Sequence, residues 1–265
     1  MIHAVSFSSG LSSALTAARV LERYGKENIR IVFMDTLFED DDNYRFMDEF
    51  AARFDVEIIR LVEGRNPYEV SRAQHVIPNN KLAPCTFRLK IELFRAWLAE
   101  QTEPVTVHIG YDFAEVHRCE PTRRNYEGLG YTVDFPLLWK PIEFRPYTQV
   151  SREDWGIEPP RMYALGYTHA NCGGRCVKQG QGDWLRTLAN FPERYAEIEA
   201  WEQEMRDHPK RKDYAILRSQ TAGETQPLTL KELRERYQNK RIDAPLLCGL
   251  DEASACVTCG IESES

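Results

Sequence analysis

The sequence predicts an α/β protein: a doubly wound, mostly parallel sheet followed by a smaller helical region that carries cysteines. Three observations lead there. Short apolar, β-branched runs alternate with helical periodicity through the first half of the 265 residues. The first run, 2–7, passes directly into Ser8-Ser9-Gly10-Leu11-Ser12-Ser13, a turn rich in small hydroxyl side chains. That turn, Asp35-Thr36 and Gly110-Tyr111-Asp112 all fall at carboxyl ends of expected strands, where such sheets bind ligands.

The elements follow in order. Ala14, Leu15, Ala18, Val20 and Leu21 suit the buried side of a helix that stops near Tyr24-Gly25. A second strand spans 29–34. Asp40-Asp41-Asp42-Asn43 precedes a helix over 44–54, with acids in its first turn. The third strand is 56–62, and 65–80 reads as loop, with Asn66-Pro67 and Pro78-Asn79-Asn80 as breakers. A helix over 86–100 carries Leu89, Leu93, Phe94 and Trp97 at helical spacing. The fourth strand is 105–109, the stretch 115–128 is helical in part, and the fifth strand is 131–135.

The alternation stops after Pro136, which suggests a domain over 1–147 and a second region over 148–265. Ser151-Arg152-Glu153-Asp154 reads as a capping-box start. Asp183 to Arg206 reads as one long charged helix, with Trp184, Leu188, Tyr195, Ile198 and Trp201 on its buried face. A second capping box, Thr229-Leu230-Lys231-Glu232, opens a helix to about Tyr237.

Hydrophobic content of 42% and charged content of 28% describe an ordinary globular protein. No apolar run approaches the ~20 residues of a membrane span. The expected location is the cytoplasm, because no basic-then-apolar leader opens the chain. An odd count of seven cysteines there suggests reduced thiols or metal ligands rather than disulfides. The net charge of −7 argues against a general nucleic-acid coat.

The serine turn sets hydroxyls and a glycine at a helix N-terminus, where orphan amides and the helix dipole suit an anion, typically phosphate. It is not a Walker A sequence, since no Gly-Lys-Ser/Thr follows, and it lacks the further glycines of the dinucleotide fingerprint. Arg88 and Lys90, in Cys85-Thr86-Phe87-Arg88-Leu89-Lys90, would supply the positive charge that this loop lacks. Cys172-x3-Cys176 and Cys256-x2-Cys259 are two close pairs. Together they could close a tetrahedral thiolate site for Zn²⁺ or hold a [4Fe–4S] cluster, which the spacing does not separate. Cys85 and Cys248 are alternates, and Cys119 reads as structural. With Cys85 as a ligand the metal would lie at the anion loop and serve sulfur chemistry; without it the metal would staple the tail.

VSFSSGLSSA resembles the pyrophosphate loop of the adenine-nucleotide alpha-hydrolase superfamily, in the branch that contains phosphoadenylylsulfate (PAPS) reductases. That loop is usually Ser-Gly-Gly-x-Asp-Ser; Ser8, Gly10 and Ser13 match, Ser9 replaces a glycine and Ser12 the aspartate. Cys85–Lys90 is similar to the family's Cys-x-x-x-Leu-Lys segment. Gly110 to Arg118 is similar to its Gly-x-x-x-x-Glu-x-x-Arg stretch, with Asp112 where a basic residue is common nearby. Pro136-Leu137-Leu138-Trp139 resembles the family's Pro-Leu-x-x-Trp segment after the nucleotide domain, and the Pro160–Lys178 block resembles the cysteine loop of uncharacterised, often phage-borne, members. The resemblance covers about residues 1–190.

It implies a nucleotide domain of that fold binding ATP, or PAPS, with Mg²⁺. Ser8, Ser9, Gly10, Ser12, Ser13, Asp35, Thr36, Arg88 and Gly110 would line the nucleotide, with Asp35 on the adenosine. Ser13, Lys90, Glu115 and Arg118 would act in catalysis, Glu115 orienting Arg118 or binding Mg²⁺. The implied reaction is an ATP pyrophosphatase-type adenylation, followed by transfer of sulfur or another nucleophile. A nucleic-acid acceptor, a sulfur-donor protein and a homodimer are partners compatible with it; a membrane is not. One alternative is a thioredoxin-dependent sulfonucleotide reductase. In that family the nucleophilic cysteine sits in a C-terminal Glu-Cys-Gly-Leu/Ile-His motif, which Thr258-Cys259-Gly260-Ile261-Glu262 matches only in cysteine, glycine and isoleucine. The other is a nucleotide-binding protein without catalysis, motivated by Ser12.

Overall fold

Strands that are apolar on both faces need helices on both sides, and the chain supplies them in sequence. The computed structural model describes residues 1–221 and 224–239. Five parallel strands, β1 (Ile2–Phe7), β2 (Ile29–Asp35), β3 (Ile58–Val62), β4 (Val105–His108) and β5 (Thr132–Asp134), lie in the order β3-β2-β1-β4-β5. Val5, Phe7, Ile31 and Phe33 face one way, onto α1 (Leu11–Tyr24) and α2 (Asp41–Phe54). Ala4, Val32, Met34, Val107 and Val133 face the other way. There they meet α5 (Glu92–Ala99) and α6 (Cys119–Glu127). The α/β, doubly wound architecture is therefore present, with the direction of winding reversing between β1 and β4.

Several elements depart from the sequence expectations. The stretch read as loop holds α3 (Pro67–Ala73): Asn66 forms a capping box with Glu69, and Pro67 takes the first helical position. The Asn-Pro pair is a helix start, since proline there gives up only an orphan amide. The helix expected over 86–100 begins as α4 (Pro84–Thr86) and passes through a π turn (Phe87–Ile91) into α5. The Ser151 capping box does not form. Ser151 opens a π turn (Ser151–Trp155) behind α7 (Tyr147–Val150), and its hydroxyl donates to the Ile157 carbonyl at 2.7 Å.

The long helix beginning at Asp183 is two helices, α9 (Gln181–Asn190) and α10 (Pro192–Arg206). Phe191 between them has φ −139° and ψ 63°, because the residue before a proline is driven out of the helical region. A hairpin of β6 (Leu217–Thr221) and β7 (Glu224–Leu228) follows. Thr229 then caps α11 (Leu230–Gln238) as expected, its capping box shared with Glu232. The short α8 (Arg161–Ala164) precedes the cysteine loop.

The second region has its own apolar core, but one that reaches into the first. Trp184, Tyr195, Ile198, Trp201, Leu228 and Leu233 share a buried cluster with Phe38, Tyr68 and Ile77, which follow β2 and β3. Cys85 and Cys176 pack against it. Val150 packs with Leu15 of α1. The C-terminal helices thus cover the carboxyl end of the sheet on one side. Among the described residues no helix is long and apolar enough to cross a membrane.

Candidate functional site

The crevice of a doubly wound sheet opens where winding reverses, here beyond the carboxyl ends of β1 and β4. The serine loop leaves β1 at this point and starts α1. Ser9 takes the left-handed φ of 56°. The Ser13 hydroxyl donates to the Gly10 carbonyl at 2.8 Å and receives the Ser8 amide at 3.0 Å. These bonds curl the loop so that the first-turn amides of α1, which have no acceptor within the helix, lie along its inner rim. Gly110, just beyond β4, backs onto the same turn. A Cβ there would lie 2.6 Å from Thr16 Oγ1 and 3.0 Å from the Ser12 carbonyl oxygen, so only glycine fits.

The acids after β2 are occupied by neighbours. Asp35 is buried and accepts the Leu37 amide at 2.7 Å, the Tyr44 hydroxyl at 2.9 Å and Arg60 Nε at 2.6 Å. Its carboxylate fixes the chain turning off β2. Thr36 donates to Glu39 at 3.1 Å. Asp40 caps α2 and is gripped from the second region by Arg161 Nη2 at 2.9 Å and Arg194 Nη1 at 2.7 Å. Burial pushes the Asp40 carboxyl up, but those guanidiniums outweigh it and leave it below the usual range.

The cysteine loop is bolted to this same segment. Cys172 has φ 57°, and Gly173 and Gly174 continue the left-handed backbone. Its amide donates to Glu39 at 2.6 Å. Asn43 Nδ2 donates to both Ser9 Oγ at 3.2 Å and the Ala170 carbonyl at 3.0 Å, tying the serine loop to the cysteine loop directly. Arg194 adds a bond to the Gly173 carbonyl at 3.0 Å. Glu39 and Asn43 escape sequence reasoning, because neither belongs to a motif and each acts on a partner in the distant second half.

Cys85 and Cys176 pack against the buried cluster that contains Cys172, and Lys90 is near enough for its charge to act on all three thiols. The Cys172 thiol donates toward Cys176, which lowers the Cys176 pKa and raises that of Cys172. Burial raises Cys85. Lys90 Nζ stands 3.9 Å from the Glu39 carboxylate. Burial works against the charged amine, yet the attraction of Glu39 and the thiols leaves its pKa raised. The site therefore holds a persistent cation among polarisable sulfurs, next to a buried carboxylate that burial pushes up.

The π turn sends the neighbouring basic residue elsewhere: Arg88 points outward and pairs with Glu92 at 2.9 Å. Glu115 and Arg118 form an ion pair on the short helix Phe113–Arg118, on the lip past Gly110. The Arg118 guanidinium sits 4.2 Å above the Tyr111 ring. Ser12 is half-buried at the loop. Cys248, Cys256 and Cys259 lie outside the described residues. Among the described residues, no three His, Cys, Asp or Glu side chains converge closely enough to hold a metal ion.

No family model matches the chain. Two proteins of Methanocaldococcus jannaschii are similar to it. The uncharacterized protein MJ0066 is 22% identical over 218 residues, which covers 78% of this chain and 42% of that protein. The uncharacterized protein MJ0973 is 21% identical over 238 residues, covering 89% and 55%. The chain spans about half the length of these curated relatives.

Proposed function

We propose that the chain binds an adenine nucleotide in the crevice between β1 and β4 and activates an acceptor by ATP pyrophosphatase-type adenylation, coupled to sulfur chemistry at the adjoining thiols. One observation carries the reading: Asn43 bonds both the serine loop and the segment leading into the cysteine loop, and Glu39 ties Cys172 to Thr36 beside them. The motif resemblance to PAPS reductase-like proteins, and the crevice geometry that this superfamily's fold would use, support the same conclusion.

In this mechanism the α1 amides and Ser13 receive the pyrophosphate part of Mg-ATP, and Arg118 approaches from the lip. An acceptor oxygen attacks the α-phosphorus. A new P–O bond forms, the bond to pyrophosphate breaks, and the chain's amides and cations neutralise the departing charge. Sulfur or another nucleophile then displaces AMP. The acceptor class carried over from the resemblance is nucleic acid, by analogy of fold.

A thiolate-held Zn²⁺ or [4Fe–4S] group fits the donor chemistry of Cys172 and Cys176, with Cys85 alongside. Completing such a site needs ligands beyond the described residues, Cys256 and Cys259 or Cys248. When bound, the group would supply either a structural staple or redox and sulfur chemistry.

The test is ATP-dependent pyrophosphate release by the purified chain with Mg²⁺. Ser13→Ala is expected to lower it at least about tenfold, because it removes the hydroxyl that holds the curl of the loop through Gly10 and Ser8. Release that is equal in Ser13→Ala and wild type would sink the proposal.

A further inference from the structure

The serine loop and the cysteine loop come from opposite halves of the chain, yet one side chain bonds to the first and to the residue leading into the second. Asn43 is fully buried in the first turn of α2. Its Nδ2 uses both hydrogens, one toward Ser9 Oγ at 3.2 Å and one toward the Ala170 carbonyl at 3.0 Å. That carbonyl can only accept, so it fixes which end of the amide faces it. The Asn43 Oδ1 is buried without a partner among the described residues. An orphaned acceptor destabilises a core, so the two donated bonds account for an asparagine here.

Both loops so joined hold a non-glycine residue in unfavourable backbone. Ser9 has φ 56°, and Cys172, two residues beyond Ala170, has φ 57°. These left-handed values favour glycine, and each residue has a more relaxed conformation open to it once its restraints go. Ser9 stands where the resembling pyrophosphate loop carries glycine. Glycine would hold φ 56° without strain but would offer Asn43 no oxygen. The segment between the two loops is pinned at three residues. Glu39 takes the Cys172 amide at 2.6 Å, Asp40 is gripped by Arg161 and Arg194, and Asn43 makes its two bonds. Arg194 also donates to the Gly173 carbonyl at 3.0 Å. Relaxation of one strained loop is therefore felt by the other.

We propose that Asn43 makes the two loops one two-state element: tied, with Ser9 and Cys172 both left-handed, or released, with both relaxed. A nucleotide favours the tied state, because the curl that presents the α1 amides includes the left-handed Ser9. Occupancy of the crevice thus orders the cysteine loop, and by reciprocity an ordered cysteine loop tightens nucleotide binding. This inference rests on the nucleotide reading and adds to it a regulation of the thiol loop by that same site.

The experiment is amide hydrogen exchange, read by mass spectrometry, on wild type, Ser9→Gly and Asn43→Ala, each without ligand and with Mg-ATP. Without ligand, Ser9→Gly is expected to speed exchange over residues 170–176 about two- to tenfold, the effect of one neutral hydrogen bond. Exchange in α9 and α10 should stay as in wild type, and Asn43→Ala should speed 170–176 at least as much. Mg-ATP should slow exchange over both 8–13 and 170–176 in wild type, and over 8–13 alone in Ser9→Gly. Equal exchange over 170–176 in wild type and Ser9→Gly would overturn the coupling. So would a rise spread equally over α9 and α10, or ATP protection of 170–176 that persists in Ser9→Gly. If Asn43→Ala melts early, Ser9→Gly decides alone, because glycine carries the left-handed backbone without strain. Protection of 8–13 but not of 170–176 in wild type ends this inference and leaves the nucleotide reading standing. No protection of either segment in any of the proteins ends both.

Discussion

His108 shows how a single side chain can carry a pH dependence far from the candidate site. It is fully buried in β4, and its Nε2 lies 2.9 Å from His3 Nδ1, with the His3 ring stacked on Tyr24 at 3.6 Å. Burial pushes its pKa down to about 4, and burial lowers His3 as well. Both are therefore neutral in the folded chain at pH 7. The unfolded chain takes up protons near pH 6.5, so stability is fully present above that value and falls as the pH drops toward about 4. His108 alone accounts for up to about 3 kcal/mol of that fall. The urea midpoint of wild type should decline between pH 7 and 4.5, and His108→Asn should flatten the slope. An equal slope in both proteins would refute the assignment.

Asp40 does comparable work for whole segments, since it caps α2 and receives both Arg161 of α8 and Arg194 of α10. Asp40→Asn keeps a capping side chain but removes the charge from between two guanidiniums. Arg161 is 47% exposed, which screens its share. The expected loss is about 1–3 kcal/mol, below that for a fully buried pair, and an unchanged midpoint in urea would contradict it. The helices and strands around this residue were largely legible in the sequence. Gly25 and Thr229 announce a stop and a start through local chemistry, and both behave as expected. The departures have local causes too, for Pro192 signals its break one residue early. The π turn at Phe87–Ile91 has no such signal, because the direction of Lys90 is decided by Glu39 and the thiols. The hairpin hides because Arg218, Ser219, Gln220, Thr225 and Gln226 do not alternate with apolar residues.

The two halves expected from the change in composition at Pro136 share a core. Phe38, Tyr68 and Ile77 are packed among Trp184, Ile198 and Trp201. The full chain should therefore unfold in one calorimetric transition, and two resolved transitions would show that the cluster does not couple the halves. Asn43 and Glu39 were illegible for the same reason: their partners, Ala170 and Cys172, are neighbours only after the second half has docked. By contrast, the places of the serine loop and Gly110 followed from strand alternation alone.

The strand order has a consequence for synthesis. β1 is bordered by β2 on one side and β4 on the other, and β4 begins at Val105. As the chain leaves the ribosome, β1, β2 and β3 can assemble with α1 and α2 while the far edge of β1 stays open. An unpaired parallel edge of this kind invites pairing with other chains. The nascent protein thus passes through a window, closed only when β4 emerges, in which the edge of β1 that will border the crevice is unpaired. Slowing translation between β3 and β4 lengthens that window, so aggregation of the nascent chain is expected to rise with slow codons over that stretch.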